Sequence, residues 1–318
     1  MNFVIIAPVW NDWLSAEQLC LRLERELAPA GHQASLWFVD DGSTDKLPEG
    51  KKIHGGSGIR EINVIELYGN QGHQRAIATG LAHLFSSGHA CDGFLLMDCD
   101  GEDKPSAVPA LLAAQAQNPG SIVVAQRARR FENIFFRLGY FFYKKIFFLF
   151  TGKSIAFGNF IFLPLAHAES LCHSQYTASH VAAAVVRLGL PCVSIKVDRG
   201  RRYAGTSRMN FVSLVLHGLN AIAVFSEIVL TRVILFSLFL MAACLAGIAA
   251  VVTIRLSTNL AIPGWATYVS LLLLMIIFQS LFAAVFLCFL HLSQKQGFAR
   301  TPLADAKNLV KGVRKISS

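Results

Sequence analysis

The sequence lacks paired cysteines, internal repeats and a high content of charge. Its seven cysteines are scattered without a CxxC pair or a metal-binding spacing, so we expect reduced thiols that pack as small apolar residues. No basic segment precedes the strand-like residues at the start, so we expect no signal peptide. Charged residues make up 15% of the 318 residues and apolar residues 53%, a more apolar balance than is usual for a purely soluble enzyme.

Two long runs near the end of the chain, 233–254 and 266–290, contain no charged residue. The hydrocarbon core of a bilayer is about 30 Å thick and needs about 20 residues of helix, so each run predicts a transmembrane helix. Two helices buried in a soluble core are the alternative, but so short a chain offers no surface to cover them. A tight turn is predicted at 262–265, which makes the region 229–292 a helical hairpin.

Basic residues around this hairpin predict its orientation. The connecting loop holds Arg255 alone, whereas the segment 293–318 is a predicted basic tail. The positive-inside rule therefore predicts that both termini and the domain before the hairpin lie in the cytoplasm, on a multi-pass protein of the inner (cytoplasmic) membrane. The net charge of +9 suits an anionic membrane surface or a phosphate-bearing substrate, and no nucleic-acid-binding module accompanies it. The basic residues of the tail are Lys295, Arg300, Lys307, Lys311, Arg314 and Lys315.

The region 1–208 alternates short apolar runs with amphipathic ones. This alternation predicts βαβ units and an α/β domain with a mostly parallel sheet covered on both faces. In such sheets the ligand lies beyond the carboxyl ends of the strands. Strands are predicted at 2–7, 35–39, 62–66, 94–97 and 121–125, and helices at 14–27, 74–85 and 106–116.

Two further segments are amphipathic rather than fully apolar. Residues 131–150 are crowded with aromatic rings but interrupted by Arg137, Lys144 and Lys145. This pattern favours a helix lying at the membrane interface, with an aromatic core helix as the alternative. Residues 209–228, just before the first apolar run, predict a second, juxtamembrane helix.

The stretch LLMDCDGED at 95–103 places four carboxylates within six positions after an apolar run. In extended geometry the side chains of Asp98 and Asp100 leave on the same side, and Glu102 continues that phase. Carboxylates without histidine or cysteine ligands favour a hard divalent cation, Mg²⁺ or Mn²⁺, whose shell is completed by substrate phosphates. We therefore predict Asp98, Asp100 and Glu102 as metal ligands, with the two aspartates in a catalytic role.

Five motifs follow one another in a recognisable order and spacing. Together they resemble the family 2 inverting glycosyltransferases, which have the Rossmann-like GT-A fold. Within that family the chain is most similar to the membrane-attached polyprenyl-phosphate glycosyltransferases, such as dolichyl-phosphate mannose synthases and bactoprenol glucosyltransferases. The resemblance extends over residues 3–228. The motifs are APVWND at 7–12, VDDGSTD at 39–45, GNQGHQRAIATGL at 69–81, LLMDCDGEDKPSAVP at 95–109 and VVAQR at 123–127.

The resemblance implies roles on the donor side. Metal held by the acidic loop would meet the diphosphate of a nucleotide sugar, with Arg127 offsetting charge on the departing group. By analogy a uridine nucleotide is preferred to a guanosine nucleotide. The sequence IAFGNFIF at 155–162 departs from relatives that have an aspartate before the glycine, which leaves the sugar open. The implied nucleotide-pocket residues are Pro8, Asn11, Asp12, Asp40 and Asp41.

The resemblance also implies an acceptor side. The segment DRGRRYAGTSRMN at 198–210 matches the basic element of the family, so Arg202, Ser207 and Arg208 would bind a lipid phosphate. Arg137 is a further candidate for that phosphate. The alternative is that 199–202 is only a polybasic patch attracted to anionic lipid.

A phosphate acceptor removes the need for a general base. A phosphate monoester is anionic at neutral pH, and the sequence lacks both a downstream catalytic aspartate and a QxxRW element. His73 and His180 are the other base candidates, but single histidines more often pack or face solvent. The predicted function is metal-dependent inverting transfer of one sugar from a nucleotide sugar to an undecaprenyl-type phosphate.

Two alternative functions stay open at this point. One is transfer to another lipid acceptor, such as a glycolipid or a lipid-linked sugar. The other is a non-catalytic membrane scaffold. The two spans could also mediate assembly into a homo-oligomer, but no pattern in the sequence sets a number of subunits.

Overall fold

The described strands form a single eight-stranded sheet. The computed structural model describes residues 1–45, 47, 53, 55–127, 134–204, 211–257, 264–296 and 300–316, with the side chains at 134–140, 211–212 and 291–296 outside that description. The strands are β1 (Asn2–Val9), β2 (Gln33–Asp40), β3 (Ile59–Leu67), β4 (Gly93–Leu96), β5 (Ile122–Arg127), β6 (Ile161–Pro164), β7 (Cys192–Val197) and β8 (Val310–Lys315). Their order is β7-β5-β6-β4-β1-β2-β3-β8.

Helices connect these strands and follow them toward the end of the chain. Those predicted for the first 120 residues or so are present, at bounds close to the predicted ones. The helices are α1 (Trp13–Leu27), α2 (His73–Ser86), α3 (Val108–Gln117), α4 (Ile134–Thr151), α5 (Leu165–His173), α6 (Val181–Arg187), α7 (Phe211–Ala223), α8 (Ser226–Ser257), α9 (Trp265–Gln296) and α10 (Pro302–Leu309).

The strand directions bring several carboxyl ends to one edge of the sheet. Strand β1 pairs in parallel with β2 and β4, and β2 pairs in parallel with β3. Strand β6 is antiparallel to both β4 and β5, so β5 runs in the direction of β4. The carboxyl ends of β1 to β5 therefore share one edge, which is where ligands bind in such sheets.

Alternating side chains of the central strand build a core on each face. Phe3 and Ile5 belong to the core that includes α1 and α3, whereas Val4 and Ile6 belong to the core that includes α2 and α5. Each fully buried side chain of this size contributes about 1.5–3 kcal/mol relative to an exposed one. The predicted α/β fold, mostly parallel and covered on both faces, is confirmed.

The end of the chain differs from the predicted basic tail. Residues 300–318 belong to the same compact unit as the sheet, in which β8 pairs antiparallel with β3. Ile316 is 3% exposed and anchors the strand in the core, while Lys311 and Lys315 are exposed. A local charge pattern could not reveal this return, because the partner strand lies far away in sequence. The added strand covers an edge that would otherwise be open.

Residues 146–152 and 225–299 form a second compact unit. In it, α8 and α9 are long and apolar enough to cross a membrane, with mean hydropathies of 2.6 and 2.7 over their most apolar windows. Those windows are only 11% and 0% buried, which argues against helices in a soluble core. The helices approach closely at Gly247, where a Cβ atom would lie 3.1 Å from Leu273 Cδ1. The predicted turn at 262–265 lies partly outside the described residues.

The two predicted amphipathic segments are helical. Helix α4 covers most of 131–150 and exposes Phe141 and Phe142, and α7 lies within 209–228. Inside the first compact unit the two helices meet where the Tyr143 hydroxyl donates to the carbonyl of Gly218 at 3.4 Å. Exposed rings on α4 fit the interfacial interpretation better than the aromatic core helix.

An ion pair between α2 and α10 is expected to stabilise the packing of the C-terminal segment on the sheet-containing unit. Arg75 donates to both carboxylate oxygens of Asp305, at 2.8 and 2.9 Å, and Asp305 is 4% exposed. Asp305→Ala leaves this guanidinium without its partner, and we expect a loss of roughly 2 kcal/mol, the range for a hydrogen bond to a charged group. Limited proteolysis should release the C-terminal segment faster. Lys307→Ala, an exposed change in the same helix, should not alter the rate; equal rates for both variants would contradict this role.

Candidate active site

The loop after β1 is tied to the loop after β2 by one asparagine. Asn11 has φ +51°, a conformation that asparagine tolerates better than most residues. Its backbone N–H donates to Ser43 Oγ at 2.9 Å, and its side-chain Nδ2 donates to Thr44 Oγ1 at 3.1 Å. Its Oδ1 accepts from the backbone N–H of Asp45 at 2.9 Å. The motifs at 7–12 and 39–45 therefore act as one interlocked wall.

Asp41 holds a third loop against this wall. Its two carboxylate oxygens accept from the backbone N–H groups of Gln71 (2.6 Å) and Gly72 (3.0 Å). Desolvation raises the pKa of Asp41, and these two hydrogen bonds lower it only in part. The loops are also in close contact, because a Cβ atom on Gly42 would lie 2.5 Å from the backbone of Gly69. Asp41 thus organises the loop as well as being a predicted nucleotide contact.

The other predicted nucleotide residues occupy distinct positions along this wall. Asp40 is buried and accepts from the backbone N–H of Ser43 at 2.9 Å. Pro8 is buried inside β1, opposite Val39 of β2. Asp12 precedes α1 and faces Arg202, as described below. The roles of these residues toward a nucleotide stay predictions.

The acidic loop after β4 is a turn, so the predicted extended phase through Glu102 is wrong. The strand ends at Leu96, and Gly101 has φ +91°. The backbone N–H of Glu102 donates to Asp100 Oδ1 at 2.9 Å, which folds the loop back on itself. Asp103, for which the sequence analysis predicted no role, stabilises this turn. Its Oδ2 accepts from the backbone N–H of Asp98 at 2.9 Å.

These carboxylates lie close enough to disturb one another. Desolvation, with the charge of Asp98, raises the pKa of Asp100 to about 6. The same two causes raise the pKa of Asp103 to about 8. Desolvation also acts to raise the pKa of Asp98, but the charge and close contact of His73, then Arg127 and His217, bring it below its usual value. The charged forms of Asp100 and Asp103 are therefore destabilised, and a bound cation would stabilise them.

Arginines surround the acidic loop from two sides. Arg127, at the end of β5, places its guanidinium 3.9 Å from Glu102 and 4.0 Å from Asp103. Arg199 donates to Glu102 Oε2 through Nε at 3.1 Å. Glu102 is thus paired with arginines, and its predicted role as a metal ligand stays a prediction.

The segment 199–203 lies directly on the acidic loop. The N–H of Gly200 donates to the carbonyl of Glu102 at 2.8 Å, and the N–H of Tyr203 donates to that of Asp100 at 2.9 Å. The approach is so close that a Cβ atom on Gly200 would lie 2.0 Å from the carbonyl oxygen of Gly101. The backbone of the predicted acceptor segment is therefore in direct contact with the predicted metal loop.

Arg202 links this segment to two carboxylates. Its guanidinium lies 3.5 Å from Asp100 and 3.6 Å from Asp12. Its Nε is buried and has no acceptor among the residues that the structure describes. Of the other predicted acceptor residues, Ser207 and Arg208 lie outside the described residues. Arg137 lies in α4, and its side chain is likewise outside them.

Asp98 and Asp100 have the chemistry that a divalent cation needs. Asp98 Oδ1 is buried without a well-aligned hydrogen bond, and no described group of three or more His, Cys, Asp or Glu side chains forms a complete metal site. Mg²⁺ commonly binds one or two carboxylates and takes its remaining ligands from phosphate and water. The two aspartates fit this incomplete, substrate-dependent kind of site.

Three histidines lie near this loop. His73, the first residue of α2, places Nε2 3.0 Å from Asp98 Oδ1. His180 caps α6, and its ring centroid lies 4.6 Å from that of His217 with the planes tilted by 35°. Desolvation with the charge of His217 lowers the pKa of His180 to about 3. The sequence named His73 and His180 as base candidates. It missed Asp103, Arg199 and His217, because only the fold brings these separate segments together.

The hydrogen bonds of Asp41 predict a loss of both stability and nucleotide binding when its charge is removed. In Asp41→Asn an NH2 group replaces one carboxylate oxygen and cannot accept from the backbone N–H that it faces. The buried N–H left without an acceptor costs about 1–3 kcal/mol of stability. We expect a lower midpoint of thermal unfolding and weaker binding of uridine diphosphate by calorimetry. Asp45→Asn is the control, since Asp45 contributes its backbone N–H to this wall and its side chain has no contact there among the described residues. Unchanged stability of Asp41→Asn would contradict the bracing role.

The sequence of this chain is similar to those of known glycosyltransferases. The sequence model of glycosyl transferase family 2 matches residues 4–164. The undecaprenyl-phosphate 4-deoxy-4-formamido-L-arabinose transferase of Klebsiella pneumoniae is 25% identical over 221 residues, which cover 66% of this chain and 63% of that protein. An uncharacterized glycosyltransferase of Bacillus subtilis is 23% identical over 297 residues, 91% of this chain and 86% of that protein. The chain thus matches less than two thirds of the Klebsiella protein.

A solved structure shares the fold. Mannosyl-3-phosphoglycerate synthase from Rubrobacter xylanophilus superposes with a TM-score of 0.52 at 15% identity, over 71% of this chain and 73% of that chain. This likeness concerns the arrangement of the sheet and helices. With the family match over residues 4–164, it supports the GT-A fold that the motifs implied. The chain belongs to glycosyl transferase family 2.

Proposed function

We propose that this glycosyltransferase moves a single sugar from a nucleotide sugar to undecaprenyl phosphate, with inversion at the anomeric carbon. The name of the Klebsiella relative supports the acceptor class. The observation that carries the proposal is Arg202, which extends from the basic segment to within 3.5 Å of Asp100 with a buried Nε that has no described acceptor. The Nε–H of Arg202 could therefore donate a hydrogen bond to a lipid phosphate beside the loop where the diphosphate of the nucleotide sugar would bind.

On the donor side, Asp98 and Asp100 would hold Mg²⁺ or Mn²⁺. Such an ion supplies positive charge to a diphosphate leaving group. Arg127, next to the same loop, adds a fixed guanidinium that stabilises the charge developing on the departing nucleoside diphosphate. A uridine nucleotide remains the preferred donor by analogy, and the interlocked loops around Asn11 and Asp41 form the proposed wall of its pocket.

On the acceptor side, Arg202, Ser207, Arg208 and Arg137 would bind the lipid phosphate. An oxygen of that phosphate attacks the anomeric carbon while the bond from this carbon to the nucleoside diphosphate breaks. The leaving group departs with the electron pair, and no proton has to move, because the phosphate is already anionic. Holding both reactants in line supplies a large part of the rate gain.

Membrane attachment follows from the chain path. The chain leaves the sheet-containing unit after residue 224 and returns to it at residue 300. A single folded unit lies on one side of a bilayer, so α8 and α9 would cross as a pair and bring the chain back to that side. We propose that this side is the cytoplasm. The basic residues that precede α8 and those that follow α9 would there meet anionic lipid.

A donor screen tests the proposed reaction. Purified protein with undecaprenyl phosphate, Mg²⁺ and one nucleotide sugar at a time should yield one lipid carrying a single added sugar, detected by mass spectrometry. Excess chelator should abolish product. Asp98→Asn should lower the rate roughly 100-fold or more, as expected when several kcal/mol of charge stabilisation are lost. Glu169→Gln, an exposed change on α5, is the control; full turnover in chelator would refute the metal role.

A second experiment tests the acceptor assignment. Arg202→Ala should raise the KM for undecaprenyl phosphate at least roughly 10-fold, since a hydrogen bond between charged groups contributes about 1.5–3 kcal/mol. Binding of the nucleotide should change much less. Lys196→Ala removes an exposed positive charge on β7 and serves as the control for general membrane attraction. An equal loss of nucleotide and lipid binding, or an equal effect of both variants, would count against the assignment.

A further inference from the structure

We propose that His73 is a positioning residue that fixes the carboxylate of Asp98, and that Asn159 holds the His73 ring in place. This inference rests on the proposed metal site of the glycosyltransferase. The placement of His73 gives the first argument. It opens α2 immediately after Gln71 and Gly72, the two residues whose N–H groups bind Asp41.

The contact with Asp98 gives the second argument. His73 Nε2 lies 3.0 Å from Asp98 Oδ1, an ion-pair contact with a buried oxygen that receives no well-aligned hydrogen bond from any described group. A carboxylate at the end of a loop can rotate freely unless a neighbour fixes it. His73 is the neighbour at contact distance from this oxygen, while the backbone of Asp98 is held separately by Asp103.

Asn159 supports the ring from another part of the sheet. Its Nδ2 lies 3.1 Å from His73 Nε2, and its Oδ1 is buried without a partner among the described atoms. For His73 Nε2–H to face Asp98, the amide of Asn159 must turn its oxygen toward the ring, and this one N–H is then shared between Asp98 Oδ1 and Asn159 Oδ1. Asn159 lies two positions before β6, which pairs with β4, the strand that leads into the acidic loop.

These contacts join the two carboxylate motifs by a continuous path. Asp41 fixes the backbone before His73, and His73 contacts Asp98. A group that orients a metal-binding side chain typically changes metal affinity or activity by about 10-fold to 100-fold when it is removed. A residue that only started a helix would change stability instead, so metal affinity separates the two roles.

The test measures Mn²⁺ binding by electron paramagnetic resonance in the presence of uridine diphosphate, without lipid acceptor or turnover. His73→Ala should weaken Mn²⁺ binding about 10-fold or more. His73→Gln, which keeps a side-chain N–H donor, should recover most of the affinity. His173→Ala, an exposed histidine at the end of α5, should match the unmodified protein. The midpoint of thermal unfolding, measured in parallel, should be similar in all variants.

Asn159→Ala gives an independent reading. It should weaken Mn²⁺ binding less than His73→Ala, and the double variant should be no weaker than His73→Ala alone, because Asn159 acts through the ring. Unchanged Mn²⁺ affinity in His73→Ala, or no recovery in His73→Gln, would overturn the inference. If Asp98→Asn weakens binding while His73→Ala does not, only this inference fails. If Asp98→Asn also leaves binding unchanged, the proposed metal site itself fails.

Discussion

The concentration of carboxylates at one edge of the sheet is the constraint on which the site depends. Asp98, Asp100 and Asp103 repel one another in a poorly solvated turn, and such a cluster is costly unless opposite charge lies nearby. The protein supplies that charge from His73 and from arginines of two separate elements. The segment 199–203, which contacts the acidic loop, contributes two of these arginines, Arg199 and Arg202.

The acidic loop and the segment 199–203, the proposed donor and acceptor elements, are physically coupled. The backbone of 199–203 is hydrogen-bonded to the acidic loop, so the basic segment cannot shift without disturbing that loop. Arg202 belongs to both sides, since it contacts Asp12 and Asp100 while it is carried by the acceptor segment. In the proposed reaction, which joins a water-soluble donor to a lipid acceptor, this shared framework would hold the two reacting groups in a fixed relative position.

Local patterns in the sequence predicted much of the fold but not its long-range closures. Alternating apolar runs gave the strands and helices up to Arg127, and the order of motifs gave the family. The sequence analysis did not predict the antiparallel strands β6 and β8, because each is defined by pairing with a strand that is distant in sequence. The acidic residues were identified from the sequence. The prediction that Asp98, Asp100 and Glu102 lie on one side of an extended segment was wrong, because the chain turns at Gly101. The pairing of Arg199 with Glu102 is likewise invisible without the fold.

The returning strand has a consequence for how the protein is made. Strand β8 follows α8 and α9 in the chain, so β3 has an uncovered edge throughout synthesis of these two helices. An uncovered edge is prone to pair with other chains. The sheet becomes complete only after both apolar helices have been translated, which makes maturation of the enzyme dependent on a finished hairpin. A chain truncated before residue 310 would therefore leave the edge of β3 open to pairing with another strand.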